Sequence, residues 1–131
     1  MDKTHTDTAP PAGGHYSQAV VHGGLVFVSG QLPIEPGTGR KLGDAPVEAQ
    51  VLQTLQNLGA ILRASGSDID CVLKVTVYVA DIALWDRINR VYAEFFGAHR
   101  PARAVVPTGP LHFGFLVEID AIASMKESGA T

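Results

Sequence analysis

The stretch Phe115–Ala123, FLVEIDAIA, alternates like a half-buried strand but carries two acids, Glu118 and Asp120. Successive side chains of a strand point to opposite faces. Phe115, Val117, Ile119 and Ala121 therefore share one wholly apolar face, and Leu116, Glu118, Asp120 and Ile122 share the other. The first face predicts burial beneath another layer. The second mixes apolar side chains with carboxylates, which are costly to bury unless hydrogen-bonded or paired. It predicts a partly covered surface with a polar pocket in it.

Working outward, the covering layer is visible upstream. Between Ala45 and Ala64 the apolar residues Val51, Leu55, Leu58 and Leu62, with Val47 and Ile61 beside them, recur at helical spacing. Gln50, Gln53, Gln56 and Asn57 fall largely outside that stripe, Asp44 is the expected N-cap and Gly66 the stop. A second helix is expected after Asp81, with the stripe Leu84, Ile88, Val91 and Phe95 and an end at Gly97. Between the helices, CVLKVTVYVA predicts a β-branched strand over 72–79. SQAVVHGGLVFVSGQL reads as two strands joined at His22-Gly23-Gly24, and two last strands are expected near 103–106 and 113–123.

The order ββαβαββ predicts an α+β domain, a sheet with two helices on one face. The other face is left bare with Leu116 and Ile122 beside the acids, which predicts a homo-oligomer. Residues 1–14 (MDKTHTDTAPPAGG) are polar and rich in Pro and Gly and are expected to form a mobile leader; 15–126 form a single domain and 127–131 a tail.

Composition excludes several classes. A net charge of −3 over 131 residues does not favour non-specific nucleic-acid binding. No apolar run approaches the roughly 20 residues that span a bilayer, and the N-terminus lacks the apolar core of a secretory signal. A lone Cys71 forms no internal disulfide, so a cytoplasmic location is expected. His5, His15, His22, His99 and His112 show no metal-ligand spacing, and no metal or cofactor is expected. PGTGRKLG lacks P-loop spacing. Ser17 and Ser29 stand outside any nucleophile elbow, and Cys71 reads as a small core residue. Arg103, entering a strand after Pro101, reads either as a surface arginine paired with a neighbouring acid or as a planar fork held ready for a carboxylate.

The segments YSQAV (16–20), LVFVSGQLPIEPGTG (25–39), EAQVLQTLQNLGAIL (48–62), VLKVTVYVAD (72–81), INRVYAEFFG (88–97), RPARAVV (100–106) and LVEIDAIA (116–123) stand in the order and at the spacing of one family. Over nearly all of Tyr16–Ala123 the chain resembles the YjgF/RidA family of reactive-intermediate (enamine/imine) deaminases. That resemblance implies a chorismate-mutase-like fold and a homotrimer whose sheets form a central barrel, with clefts at the subunit interfaces. It implies hydrolysis of 2-iminoacids such as 2-aminoacrylate and 2-iminobutanoate to 2-ketoacids and ammonia, which protects PLP enzymes. Arg103 matches the family's carboxylate-binding arginine, and Glu118 the glutamate that positions and activates water. Tyr16, Ser29, Gly30 and Val105 match residues that line the cleft.

The chain departs from the family pattern at His15 and His112, where proline is usual, and at Val105, where cysteine is usual. The resemblance leaves room for a trimer that binds small ketoacid carboxylates without turnover. It is weaker support for the endoribonuclease or translation-inhibitor activity attributed to some members.

Overall fold

The structure, a computed structural model, describes residues 1–127. Its elements are β1 (Asp2–Thr4), β2 (Ala19–His22), β3 (Leu25–Gln31), α1 (Val47–Ala64), β4 (Val72–Val79), α2 (Trp85–Phe96), β5 (Ala102–Pro107) and β6 (Val117–Ser124). They form a 6-stranded mixed sheet in the order β1-β2-β3-β6-β4-β5. Strands β4 and β5 run parallel, as a strand–helix–strand crossover requires, and the other pairs are antiparallel. The β2–β3 turn places Gly23 and Gly24 at φ 59° and 79°, the positive values that a tight hairpin demands of both central residues.

The expected α+β architecture is present, with both helices on one face. β6 alternates as its sequence predicts: Val117, Ile119, Ala121 and Ala123 are buried, while Glu118, Asp120 and Ile122 are half-buried. Against the buried face pack Leu55, Leu58, Ile61 and Leu62 of α1 and Ile88 and Phe96 of α2. Each fully buried leucine or isoleucine contributes about 1.5–3 kcal/mol of transfer free energy. The cross-strand pairs Phe27–Ile122, Thr76–Asp120 and Tyr78–Glu118 define the other, open face. There Phe27 and Val106 are exposed, as an unpartnered apolar surface would be.

Five local expectations are corrected. The first residues are not a mobile leader: Asp2–Thr4 pair with Val21–Ala19 and add a sixth strand. Gln18 then straps the following segment to the sheet, accepting from Thr6 N at 2.7 Å and donating to the carbonyls of Thr6 and Pro10 at 3.1 and 2.9 Å. The N-cap of α1 is Pro46 rather than Asp44, without a side-chain cap.

Gln50 and Asn57 are buried rather than outside the helical stripe, and both are satisfied there. Gln50 donates to Ala45 O and accepts from Leu116 N; Asn57 Nδ2 donates to Leu32 O and Ile34 O at 3.1 and 2.9 Å. Finally, β6 begins at Val117, because His112–Gly114 forms a 3-10 turn in which Phe113 adopts φ 57°. Cys71 ends another such turn, half-buried and outside the core.

Candidate active site

The sheet register places the candidate residues in two groups. Glu118 pairs with Tyr78 on the open face, whereas Arg103 pairs with Val75, and Val105 with Val77, on the helix face. Within one chain the structure brings Tyr16, Gly30 and Glu118 together and leaves Arg103 and Val105 on the opposite side of the sheet. The parity of RPARAVVP and FLVEIDAIA, read with the pairing of β4 to both, fixes this division.

In the first group, Glu118 lies directly over Gly30. A Cβ added at Gly30 would overlap Glu118 Oε2 and stand 3.1 Å from its Cδ, so glycine is the residue that admits the carboxylate here. Burial pushes the Glu118 carboxyl above its ordinary value of 4.5, opposed by the nearby His112 and assisted by Asp120. Asp120 accepts a hydrogen bond from the Tyr78 hydroxyl at 3.0 Å. Burial, and then that bond, raise the Tyr78 phenol in turn. The two acids of β6 therefore differ: Asp120 is held by a phenol, and Glu118 stands over a glycine beside a cavity.

That cavity, about 330 Å³, is lined in part by Tyr16, Gly30, Leu32, Lys41, His112 and Phe113. Its walls are set by three devices. The Gln18 strap carries the segment 10–14 to its rim, and Tyr16 Oη accepts from Gly13 N at 3.1 Å. Asn57 fixes the Leu32–Ile34 loop from below. Ser29, expected to touch ligand, donates through Oγ to Ser17 O at 2.6 Å and so holds β3 to the start of β2.

In the second group, Arg103 Nη1 donates to Asn89 Oδ1 at 2.8 Å. Its guanidinium carbon lies 4.7 Å from the Tyr92 ring centroid and 5.6 Å from that of Trp85. A fork clamped at one nitrogen and flanked by two rings retains other N–H groups for a carboxylate. Trp85, Asn89 and Tyr92 lie off the stripe Leu84, Ile88, Val91 and Phe95, and their recurrence at i, i+4 and i+7 is the sequence signal that they share one face of α2. Among the described residues no group of His, Cys, Asp and Glu is arranged to hold a metal ion. Among the described residues no helix is long and apolar enough to cross a membrane.

Gly30→Ala tests the close approach at Glu118. The added methyl displaces the carboxylate from its place over Gly30, so turnover is expected to fall well below that of the parent. The thermal midpoint should change far less, because Gly30 has no positive-φ requirement. A variant with full turnover would separate Glu118's position from the chemistry.

A mixed sheet backed by two helices is the architecture this chain shares with the solved structures it resembles. The family model described as Endoribonuclease L-PSP matches residues 6–125, and the chain belongs to this family.

Among its relatives, RutC family protein y4sK of Sinorhizobium fredii is 47% identical over 125 residues, covering 95% of this chain and 98% of that one. The 2-iminobutanoate/2-iminopropanoate deaminase of Rattus norvegicus is 42% identical over 118 residues, covering 90% and 85% of the two chains. The crystal structure of E. coli TdcF with bound serine superposes with a TM-score of 0.90 at 36% identity, covering 96% of this chain and 100% of that one.

Proposed function

We propose that this protein hydrolyses reactive 2-imino and 2-enamine acids to 2-ketoacids and ammonia, in clefts formed between copies of a homotrimer. The observation that carries the reading is the half-buried Glu118, seated over Gly30 beside a cavity and biased by burial toward proton uptake. The similarity to a protein named as an iminoacid deaminase supports it, as does the likeness to a structure that holds an amino acid.

The chemistry asks little of the protein. A released enamine tautomerises to an imine, already an electrophile, so water needs orientation and a proton acceptor. Glu118 takes a proton from water as the oxygen bonds to the imine carbon and the C=N π pair moves to nitrogen. That proton passes to nitrogen and completes a carbinolamine; a second proton then moves from its hydroxyl through Glu118 to nitrogen, the C–N bond breaks as the oxygen electron pair forms the ketone C=O, and ammonia leaves behind a 2-ketoacid. Arg103 anchors the substrate carboxylate bidentately and sets the distance of the imine carbon from that water. Because Arg103 and Glu118 lie on opposite faces of one sheet, a cleft that holds both takes Arg103 from one copy and Glu118 from the next. The exposed Phe27 and Val106 then find cover against neighbouring copies.

The test is ketoacid and ammonia release from imines generated in situ by an amino-acid oxidase or a serine/threonine dehydratase, with the oligomeric state measured by light scattering. Accelerated release by a trimer is expected. Tight ketoacid binding without acceleration on any imine would favour a carboxylate-binding protein instead, and an active monomer would refute the shared cleft.

A further inference from the structure

The cavity beside Glu118 is larger than a three- or four-carbon iminoacid needs, and the formally charged side chain that lines it is a lysine. Lys41 and His112 both line it. Lys41 is placed by a built element. The Ile34–Lys41 bridge and the bonds Glu35 N→Arg40 O (2.9 Å) and Leu42 N→Pro33 O (3.0 Å) close a hairpin that ends at the buried Leu42. Its ammonium rests 4.3 Å from the centroid of Phe113, and none of the ion pairs among the described residues takes up its charge.

Phe113 is presented by an unusual backbone. It is the single non-glycine at positive φ among the described residues, in the left-handed region that a bulky side chain rarely adopts. Such conformations persist where the surrounding structure enforces them and gather at ligand sites. Here the turn sets His112 and the Phe113 ring at the same rim as Lys41, with the three rings of His112, Phe113 and Phe115 in sequence at 5.6 Å separations. His112 is also one of the positions at which this chain departs from the family pattern.

We infer that Lys41 and His112 form a subsite for an anionic substrate side chain, so that the preferred substrates are 2-iminoacids bearing a second carboxylate. The inference rests on the deaminase reading for its reaction and on the cavity wall for its specificity. With the α-carboxylate on Arg103 of the partner subunit and the imine carbon at Glu118, the side chain points along the cavity toward Lys41. A lysine whose charge none of the ion pairs among the described residues takes up suits a terminal carboxylate, and its ammonium also offsets the repulsion that Glu118 exerts on a dianion.

The experiment compares kcat/KM for imines generated in situ from aspartate or glutamate with those from alanine and 2-aminobutanoate. It is run on the parent, Lys41→Met, Lys41→Arg and His112→Gln. The parent is expected to favour the dicarboxylic imines by about tenfold, the discrimination that one charged hydrogen bond supplies. Lys41→Met should erase most of that ratio through KM, Lys41→Arg should retain it, and His112→Gln should reduce it. Equal kcat/KM for both classes, or a ratio that survives in Lys41→Met, overturns the subsite.

If no imine is turned over, the deaminase reading fails on its own, and calorimetry with 2-oxoglutarate and 2-oxobutanoate decides the subsite. Tighter binding of the dicarboxylate that is lost in Lys41→Met sustains it, and equal binding refutes it.

Discussion

Glu118→Gln is expected to lower kcat on every accepted imine by about 10²–10⁴-fold, the contribution of a positioned general base, while ketoacid binding persists. Glutamine keeps the shape over Gly30 and loses only the capacity to take a proton. The pH dependence supplies the signature. Turnover in the parent falls as pH drops through the Glu118 pKa, which burial holds above 4.5. The acid limb therefore lies above that ordinary value and disappears in the variant.

Stability moves the other way. A carboxyl whose pKa is raised on folding costs nothing at pH values below its unfolded pKa. It costs progressively more as pH rises from there through the folded pKa, and the penalty is complete above it. At neutral pH the glutamine variant should accordingly melt at or above the parent temperature. Unchanged turnover in Glu118→Gln would remove this residue from the chemistry, and a lowered melting temperature would contradict the burial argument.

Arg103→Ala is expected to weaken turnover and ketoacid binding together. Leaving a substrate carboxylate without its bidentate partner in a desolvated cleft costs about 2–5 kcal/mol, or roughly 30- to several-thousand-fold in kcat/KM at 1.4 kcal/mol per tenfold. Arginine also fills space against Tyr92 and Trp85, so the alanine variant loses packing as well as charge. Arg103→Lys separates the two effects: the positive charge remains, while the planar fork and its bond to Asn89 do not. A lysine variant near parent activity would mean that charge alone anchors the substrate. An alanine variant that folds and binds ketoacid normally would place the anchor elsewhere.

Much of the fold was legible because it is carried by periodicity. The stripe Val51, Leu55, Leu58 and Leu62 and the alternation of FLVEIDAIA each specify a buried face, and both appear in the core. What escaped is carried by hydrogen bonds between residues far apart in sequence. Asp2-Lys3-Thr4 has no apolar pattern because its pairing to β2 lies at the edge of the sheet. Gln50 and Asn57 look like surface amides until the loops they bind are in place.

The same distinction holds at the site. Arg103 and Glu118 stand out as candidates only through the family resemblance, since strand parity puts Glu118 and Asp120 on one face without separating them. Lys41 reaches the cavity through a hairpin, and Phe113 through a left-handed turn whose only sequence cue is the Gly114 that follows.

The opposed orientation of Arg103 and Glu118 has a consequence beyond geometry. In the proposed assembly a chain lends its arginine to one neighbour and its glutamate to the other, and owns no complete centre itself. Activity is then a collective property. Dilution that separates the copies silences the chemistry without unfolding any of them, and damage to one copy is felt in a cleft that it shares with an intact one. Selection on such a protein acts on the fit between copies as strongly as on the residues that touch substrate.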